Sequence, residues 1–168
     1  MIRRCVTADF DAVLAIVNDA AQAYKGIIPA DCWHEPYMSA DELRGEIAAG
    51  IDFSGFEQNG QLIGVMGAQP VQDVTLIRHA YVLTECRRHG IGARLLEFLL
   101  SRTGRPVLVG TWAAAGWAIA FYEKHGFCLV PQDRKAALLR EYWAVPERQI
   151  EMSVVLADAR AMRGPRAH

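Results

Sequence analysis

The sequence is poor in everything that would tie it to a special environment. Its four cysteines, Cys5, Cys32, Cys86 and Cys128, are scattered through 168 residues with no C-x-x-C and no paired histidine spacing. Zinc sites and disulfide frameworks both need closer or more regular groupings, so no metal site is expected and reduced thiols in a cytoplasmic protein are. No apolar run approaches the roughly 20 residues needed to cross a bilayer. Met1-Ile2-Arg3-Arg4 leads into polar residues without the apolar stretch of a signal peptide, so neither membrane nor export is expected. Charge of one sign is missing too. Eighteen Lys+Arg against nineteen Asp+Glu leave a net charge of -1, which excludes the broad basic footprint of a nucleic-acid binder. One small basic site stays allowed.

What is present is a core. With 52% hydrophobic residues and 22% charged, a chain of this length folds as one domain without staples. Residues 1–157 are expected to form it, with 158–168 as a flexible Ala/Arg-rich tail. Ile2 to Val6 reads as a first strand. Thr7 is a candidate N-cap for a helix carrying Phe10, Val13, Leu14, Val17, Ala21 and Tyr24 at helical spacing, stopped by Gly26. Ile27 to Tyr37 reads as a loop. Ser39 and Glu42 form a capping box for a second helix ending near Gly50. Phe53–Gln58 and Gln61–Gln69 flank Asn59-Gly60, the strongest short hairpin signal. Val74–Val82 is a further strand. A helix from Gly90 to Gly104, a strand at Val107–Thr111, a helix at Trp117–His125 and a strand at Phe127–Val130 follow. A polar helix around Asp133–Tyr142 and a last strand over Gln149–Leu156 complete the series. Strands mixed with helices, with a hairpin ahead of the crossover units, indicate an α/β or α+β mixed sheet.

The chemistry concentrates in Arg87-Arg88-His89-Gly90-Ile91-Gly92-Ala93, where a strand runs through a glycine turn into a helix. Free amides at a helix N-terminus carry partial positive charge, glycine lets a ligand approach the backbone, and guanidinium suits phosphate. The turn reads as a pyrophosphate cradle, or as an ordinary strand-to-helix turn with solvated arginines. A dinucleotide fold wants a third glycine where Leu95 stands and an acid ending the next strand, and neither is present. The G-K-[ST] of a P-loop is absent as well.

The remaining pattern, Arg87-x-x-Gly90-x-Gly92-Ala93, resembles the acetyl-CoA-binding motif of the GCN5-related N-acetyltransferases (GNAT). Ala118-Ile-Ala-Phe121-Tyr122-Glu123-Lys124-His125-Gly126-Phe127 is similar to a second segment of that family, in the right order, with one strand between. The resemblance implies an acyl-CoA N-acyltransferase fold, a mostly antiparallel central sheet flanked by helices. It also implies acetyl-CoA as cosubstrate and a primary amine of a small molecule as acceptor. Tyr81, Val82 and Leu83 would lie along the pantetheine arm, and Arg87, Arg88, His89, Gly90, Ile91, Gly92 and Ala93 around the pyrophosphate. A backbone amide near Val82 would polarise the thioester carbonyl. Tyr122 would protonate the departing thiolate, and phenol and thiol acidities are close enough for that; packing in the core is its other reading.

Two positions depart from the family. Ala115 stands where many members have a cofactor-contacting asparagine, and the strand Leu76-Ile-Arg78-His79-Ala80-Tyr81 lacks their carboxylate base. Arg78 and His79 interrupt that strand, and adjacent strand residues point to opposite faces, so one of them is expected at the acceptor site. Histidine exchanges protons near neutral pH and suits an ammonium nucleophile. Glu35, in Trp33-His34-Glu35-Pro36-Tyr37, is the other candidate: aromatics around a carboxylate suit a cationic amine, or simply plug the loop. The missing carboxylate and Ala115 also fit a non-catalytic acyl-CoA sensor, and the glycine turn alone fits another phosphate ligand. Apolar edge strands allow a homodimer.

Overall fold

The structure is a computed structural model that describes residues 1–163. It is a mixed α/β fold with a seven-stranded, mostly antiparallel sheet and flanking helices. The strands are β1 (Ile2–Arg4), β2 (Asp52–Gln58), β3 (Gln61–Val71), β4 (Val74–Val82), β5 (Val107–Trp112), β6 (Cys128–Leu129) and β7 (Ser153–Ala157). The helices are α1 (Phe10–Ala21), α2 (Ala40–Ala48), α3 (Ile91–Ser101), α4 (Gly116–Lys124), α5 (Gln132–Tyr142), α6 (Glu147–Glu151) and α7 (Ala159–Met162). The chain forms two compact units, Met1–Gln69 with Ile77–Gly104, and Pro70–Leu76 with the chain from Arg105 on. No helix among the described residues is long and apolar enough to cross a membrane.

In the first unit the strand order is β1-β2-β3-β4. β1 lies antiparallel on β2 with Ile2 opposite Phe56, and β2 folds back on β3 with Gln58 opposite Gln61. The turn residues Asn59 and Gly60 have φ of +52° and +77°, the left-handed pair that matches strand twist in a two-residue hairpin. α1 buries Val13, Ile16 and Val17, and α2 buries Leu43, against Phe53, Leu62 and Val65 of the sheet. α2 begins as expected: Glu42 N donates to Ser39 Oγ at 3.1 Å while Ser39 N donates back to the Glu42 carboxylate at 3.4 Å. At α1 the start differs. Thr7–Asp9 is a short 3-10 turn, and the Asp9 carboxylate accepts from Val6 N at 2.7 Å and from both terminal nitrogens of Arg3. A carboxylate offered a guanidinium is a stronger acceptor than the neutral Thr7 hydroxyl.

In the second unit β5 and β7 are antiparallel, Val109 facing Leu156, and the two-residue β6 lies on the other side of β7. Leu139, Trp143 and Ile150 pack against Leu108 and Val155. The last strand is shorter than its apolar pattern suggests. Gln149–Glu151, expected to open the strand, belong instead to the helix Glu147–Glu151. Pro146 sets φ at -61°, and its carbonyl accepts from Gln149 N and Ile150 N, which closes a helical turn before β7 begins. In the C-terminal run 158–168, the Asp158 side chain caps α7 by accepting from Ala161 N; residues 164–168 lie outside the described residues.

Candidate functional site

β4 does not keep strand alternation. His79 has φ of +53°, a left-handed conformation that costs a side-chain-bearing residue energy and interrupts the pleat. The expectation that Arg78 and His79 face opposite ways therefore fails. Both reach one carboxylate, Glu46 on α2. Arg78 donates to Glu46 Oε1 at 3.4 Å and to Gln69 at 3.2 Å, and His79 Nε2 is hydrogen-bonded to Glu46 Oε2. Glu46 arrives there because it sits one turn after the fully buried Leu43, on the face α2 turns to the sheet. Gly67 makes the detour possible. A Cβ on it would stand 2.8 Å from the Arg78 carbonyl oxygen and 2.8 Å from the Ile51 side chain.

The Glu46 carboxyl feels burial, which works to raise its pKa, but the His79 hydrogen bond and the charges of His79 and Arg78 outweigh it. The carboxyl is held below the usual glutamate range, as the carboxylate. The His79 ring stacks with Phe53 on β2, at 6.1 Å, and with Tyr81, at 6.3 Å.

Tyr81 points its hydroxyl to Tyr24 after α1 and Tyr37 in the following loop, and burial pushes its phenol well above the usual range. Tyr37 in turn stacks on Trp33 at 5.7 Å and lies 6.2 Å from the His34 ring. The aromatics of the loop thus join β4 through tyrosine hydroxyls. Glu35 stands apart from this cluster's hydrogen bonds. It is half-exposed, accepts from Gln22 at 3.2 Å and pairs with Lys25 at 3.6 Å.

At the end of β4, Leu83 N still donates to Ile63 O at 2.9 Å, and Thr84 N donates to the Asp19 carboxylate at 2.7 Å. The glycine turn follows, with Arg88 and Gly90 at φ of +65° and +75° on either side of His89. Gly90 precedes α3 without any side-chain cap, and no acid stands in the first turn of α3. The first-turn amides of Ile91, Gly92 and Ala93 have no intrahelical acceptor, and such free helix-end amides suit an anion. Arg87 donates to Ala20 O at 3.0 Å at the end of α1, which fixes its guanidinium beside the turn and uses one of its donors. These groups suit a pyrophosphate.

Tyr122 belongs to the second unit. It is buried in α4, edge-on to Phe121 at 5.0 Å and Phe127 at 5.5 Å, so its ring has a packing role whatever its hydroxyl does. Ala115, at the start of α4, is fully buried. No cluster of three metal-binding side chains occurs among the described residues.

Of these groups, sequence reasoning missed Glu46 and Asp19. Two basic side chains in an apolar strand signal that an acid must meet them, but α2 offers Asp41, Glu42 and Glu46 alike.

Residues 51–128 match the family model of the acetyltransferase (GNAT) domain. Among solved structures, the chain is similar to the PaiA N-acetyltransferase of Thermoplasma acidophilum in complex with coenzyme A. The TM-score is 0.70 at 19% identity, over 94% of this chain and 97% of that one. It is also similar to the ribosomal-protein-alanine N-acetyltransferase of Brucella melitensis, with TM-score 0.65 and 21% identity over 94% and 98% of the two chains. A GNAT family acetyltransferase of Elizabethkingia anophelis with acetyl-CoA bound gives 0.62 and 16% over 94% and 96%. At these identities the solved structures establish a common fold.

Proposed function

We propose that the chain, which carries an acetyltransferase domain of the GNAT family, moves the acetyl group of acetyl-CoA to the primary amine of a small molecule by direct attack. The uncapped, acid-free N-terminus of α3, beside Arg87 and Arg88, carries the reading. It supplies backbone donors and guanidinium charge to a pyrophosphate without any need for metal. A backbone amide near Val82 polarises the thioester carbonyl and holds the oxyanion of the tetrahedral intermediate. The amine nitrogen forms the C–N bond, the C–S bond breaks, and the Tyr122 hydroxyl gives its proton to the departing sulfur. His79 takes the proton that frees the amine. Glu35 is assigned to the approach of the acceptor, because its carboxylate is half-exposed in a loop rich in aromatic rings.

The deciding experiment is a panel of primary amines assayed by thiol release, run beside calorimetric titration with acetyl-CoA. Saturable binding together with thiol release for some amine supports the proposal. Binding with no turnover across the panel converts it to an acyl-CoA sensor, a reading that the buried Ala115 favours. Stabilisation by ATP or NAD where acetyl-CoA gives none overturns both.

A further inference from the structure

We propose that Glu46 is a positioning residue that fixes the His79 tautomer, so that Nδ1, not Nε2, is the atom that deprotonates the acceptor amine. The inference rests on the acetyl-transfer reading above and adds to it a residue and an atom.

Glu46 serves two basic side chains with one carboxylate. Its two oxygens have separate duties: Oε1 takes the Arg78 guanidinium and Oε2 takes His79 Nε2. Since Glu46 is held as the carboxylate, it can only accept, so a neutral imidazole must carry its hydrogen on Nε2. The lone pair is then on Nδ1. That nitrogen has no protein partner among the described residues, and it is not a sealed, unsatisfied atom either. A base must have such an unblocked lone pair.

The surroundings support the same division of labour. The Phe53 and Tyr81 rings both stack with the imidazole, and the side chain of this left-handed residue (φ +53°) meets Glu46 of α2. The titratable and charged groups facing the imidazole are Glu46 from α2 and Arg78 and Tyr81 from β4 itself, with Tyr24 and Tyr37 behind Tyr81; Phe53 of β2 adds no charge. Arg78 spreads its charge over Glu46 and Gln69, which ties the carboxylate down without removing its bond to His79.

The proton balance is simple. The acceptor ammonium gives one proton to Nδ1 and becomes an amine, and His79 later releases that proton to solvent. The amine nitrogen bonds to the acyl carbon, whose C–S bond breaks. The nitrogen's surplus proton leaves to solvent, and the sulfur receives one from Tyr122, which solvent restores.

The test uses the full chain with acetyl-CoA and whichever amine the panel selects. Wild type, Glu46→Gln, Glu46→Asp and His79→Gln are compared by the pH profile of kcat/KM, by kcat and KM separately, and by acetyl-CoA affinity, which also shows that each variant is folded. His79→Gln should lose about 100-fold or more in kcat. Glu46→Gln should lose roughly 10- to 100-fold in kcat. Acetyl-CoA affinity should stay within about twofold, and Glu46→Asp should recover part of the rate. Nitrogen-15 NMR of the neutral wild-type imidazole should show hydrogen on Nε2. A Glu46→Gln profile that superimposes on wild type, or hydrogen found on Nδ1, overturns the proposal while leaving the acetyltransferase intact. A wild-type protein that neither binds acetyl-CoA nor releases thiol overturns the acetyl-transfer reading itself and this role with it.

Discussion

His79 on β4 shares the Glu46 carboxylate with its own chain neighbour, Arg78, although adjacent residues of a regular strand diverge. The left-handed backbone at His79 is what makes the convergence possible. A conformation that costs energy persists only where its surroundings hold it. Here they are the carboxylate on α2, the Phe53 and Tyr81 rings, and a glycine on β3 that leaves room for the displaced carbonyl.

Gly67→Ala tests that support directly. The new methyl would meet the Arg78 carbonyl oxygen at 2.8 Å, and a backbone oxygen cannot swing away as a side-chain tip can. The variant should be destabilised by about 1–3 kcal/mol, read from urea unfolding, and its turnover should fall as His79 leaves its place. An unchanged unfolding midpoint would show that β4 is not held there by the glycine.

Arg87→Ala probes the proposed pyrophosphate cradle. The guanidinium spends one donor on Ala20 O at the end of α1, leaving others for an anionic ligand. Acetyl-CoA affinity should weaken by roughly tenfold, in line with losing a hydrogen bond to a charged group. The dependence of affinity on salt should flatten, since one charge fewer is screened. Titration calorimetry at two ionic strengths reads both effects. Unchanged affinity at low salt would leave Arg87 as a brace for α1 alone.

Acid should loosen the first unit at a defined place. Asp9, bonded to Arg3 and to Val6 N, has its carboxyl held at about 2. A pKa depressed by folding means that the bonds stabilise fully above the ordinary carboxyl range and are lost as pH falls toward the folded value. Asp9→Asn should therefore be less stable than wild type by about 1–3 kcal/mol at neutral pH. The gap should narrow from about pH 4 downward. Chemical unfolding at pH 7 and pH 3 would measure it, and a gap independent of pH would exclude the ion pair as its source.

Features set by nearest neighbours were legible before the structure. Asn59-Gly60, the Ser39–Glu42 box and the glycine turn each depend on residues within a few positions, and each forms where expected. Glu46 was not legible, because its choice over Asp41 and Glu42 depends on which face of α2 buries Leu43 and on a strand irregularity at His79. The same holds for α6. The alternation from Gln149 to Met152 suits a strand, and only the turn closed on the Pro146 carbonyl decides for helix over Gln149–Glu151.

Tyr122→Phe separates packing from proton transfer. The phenyl ring keeps the edge-on contacts with Phe121 and Phe127, so acetyl-CoA affinity should be nearly unchanged, while the hydroxyl proposed as the acid for the leaving sulfur is removed. Turnover should drop by about 100-fold, with kcat and kcat/KM falling together because the lost interaction exists only in the transition state. A thioester whose thiol is more acidic needs less protonation as it leaves, so the deficit should shrink with such a substrate. Equal turnover of the two proteins would return Tyr122 to the core of α4 and leave solvent as the source of the proton.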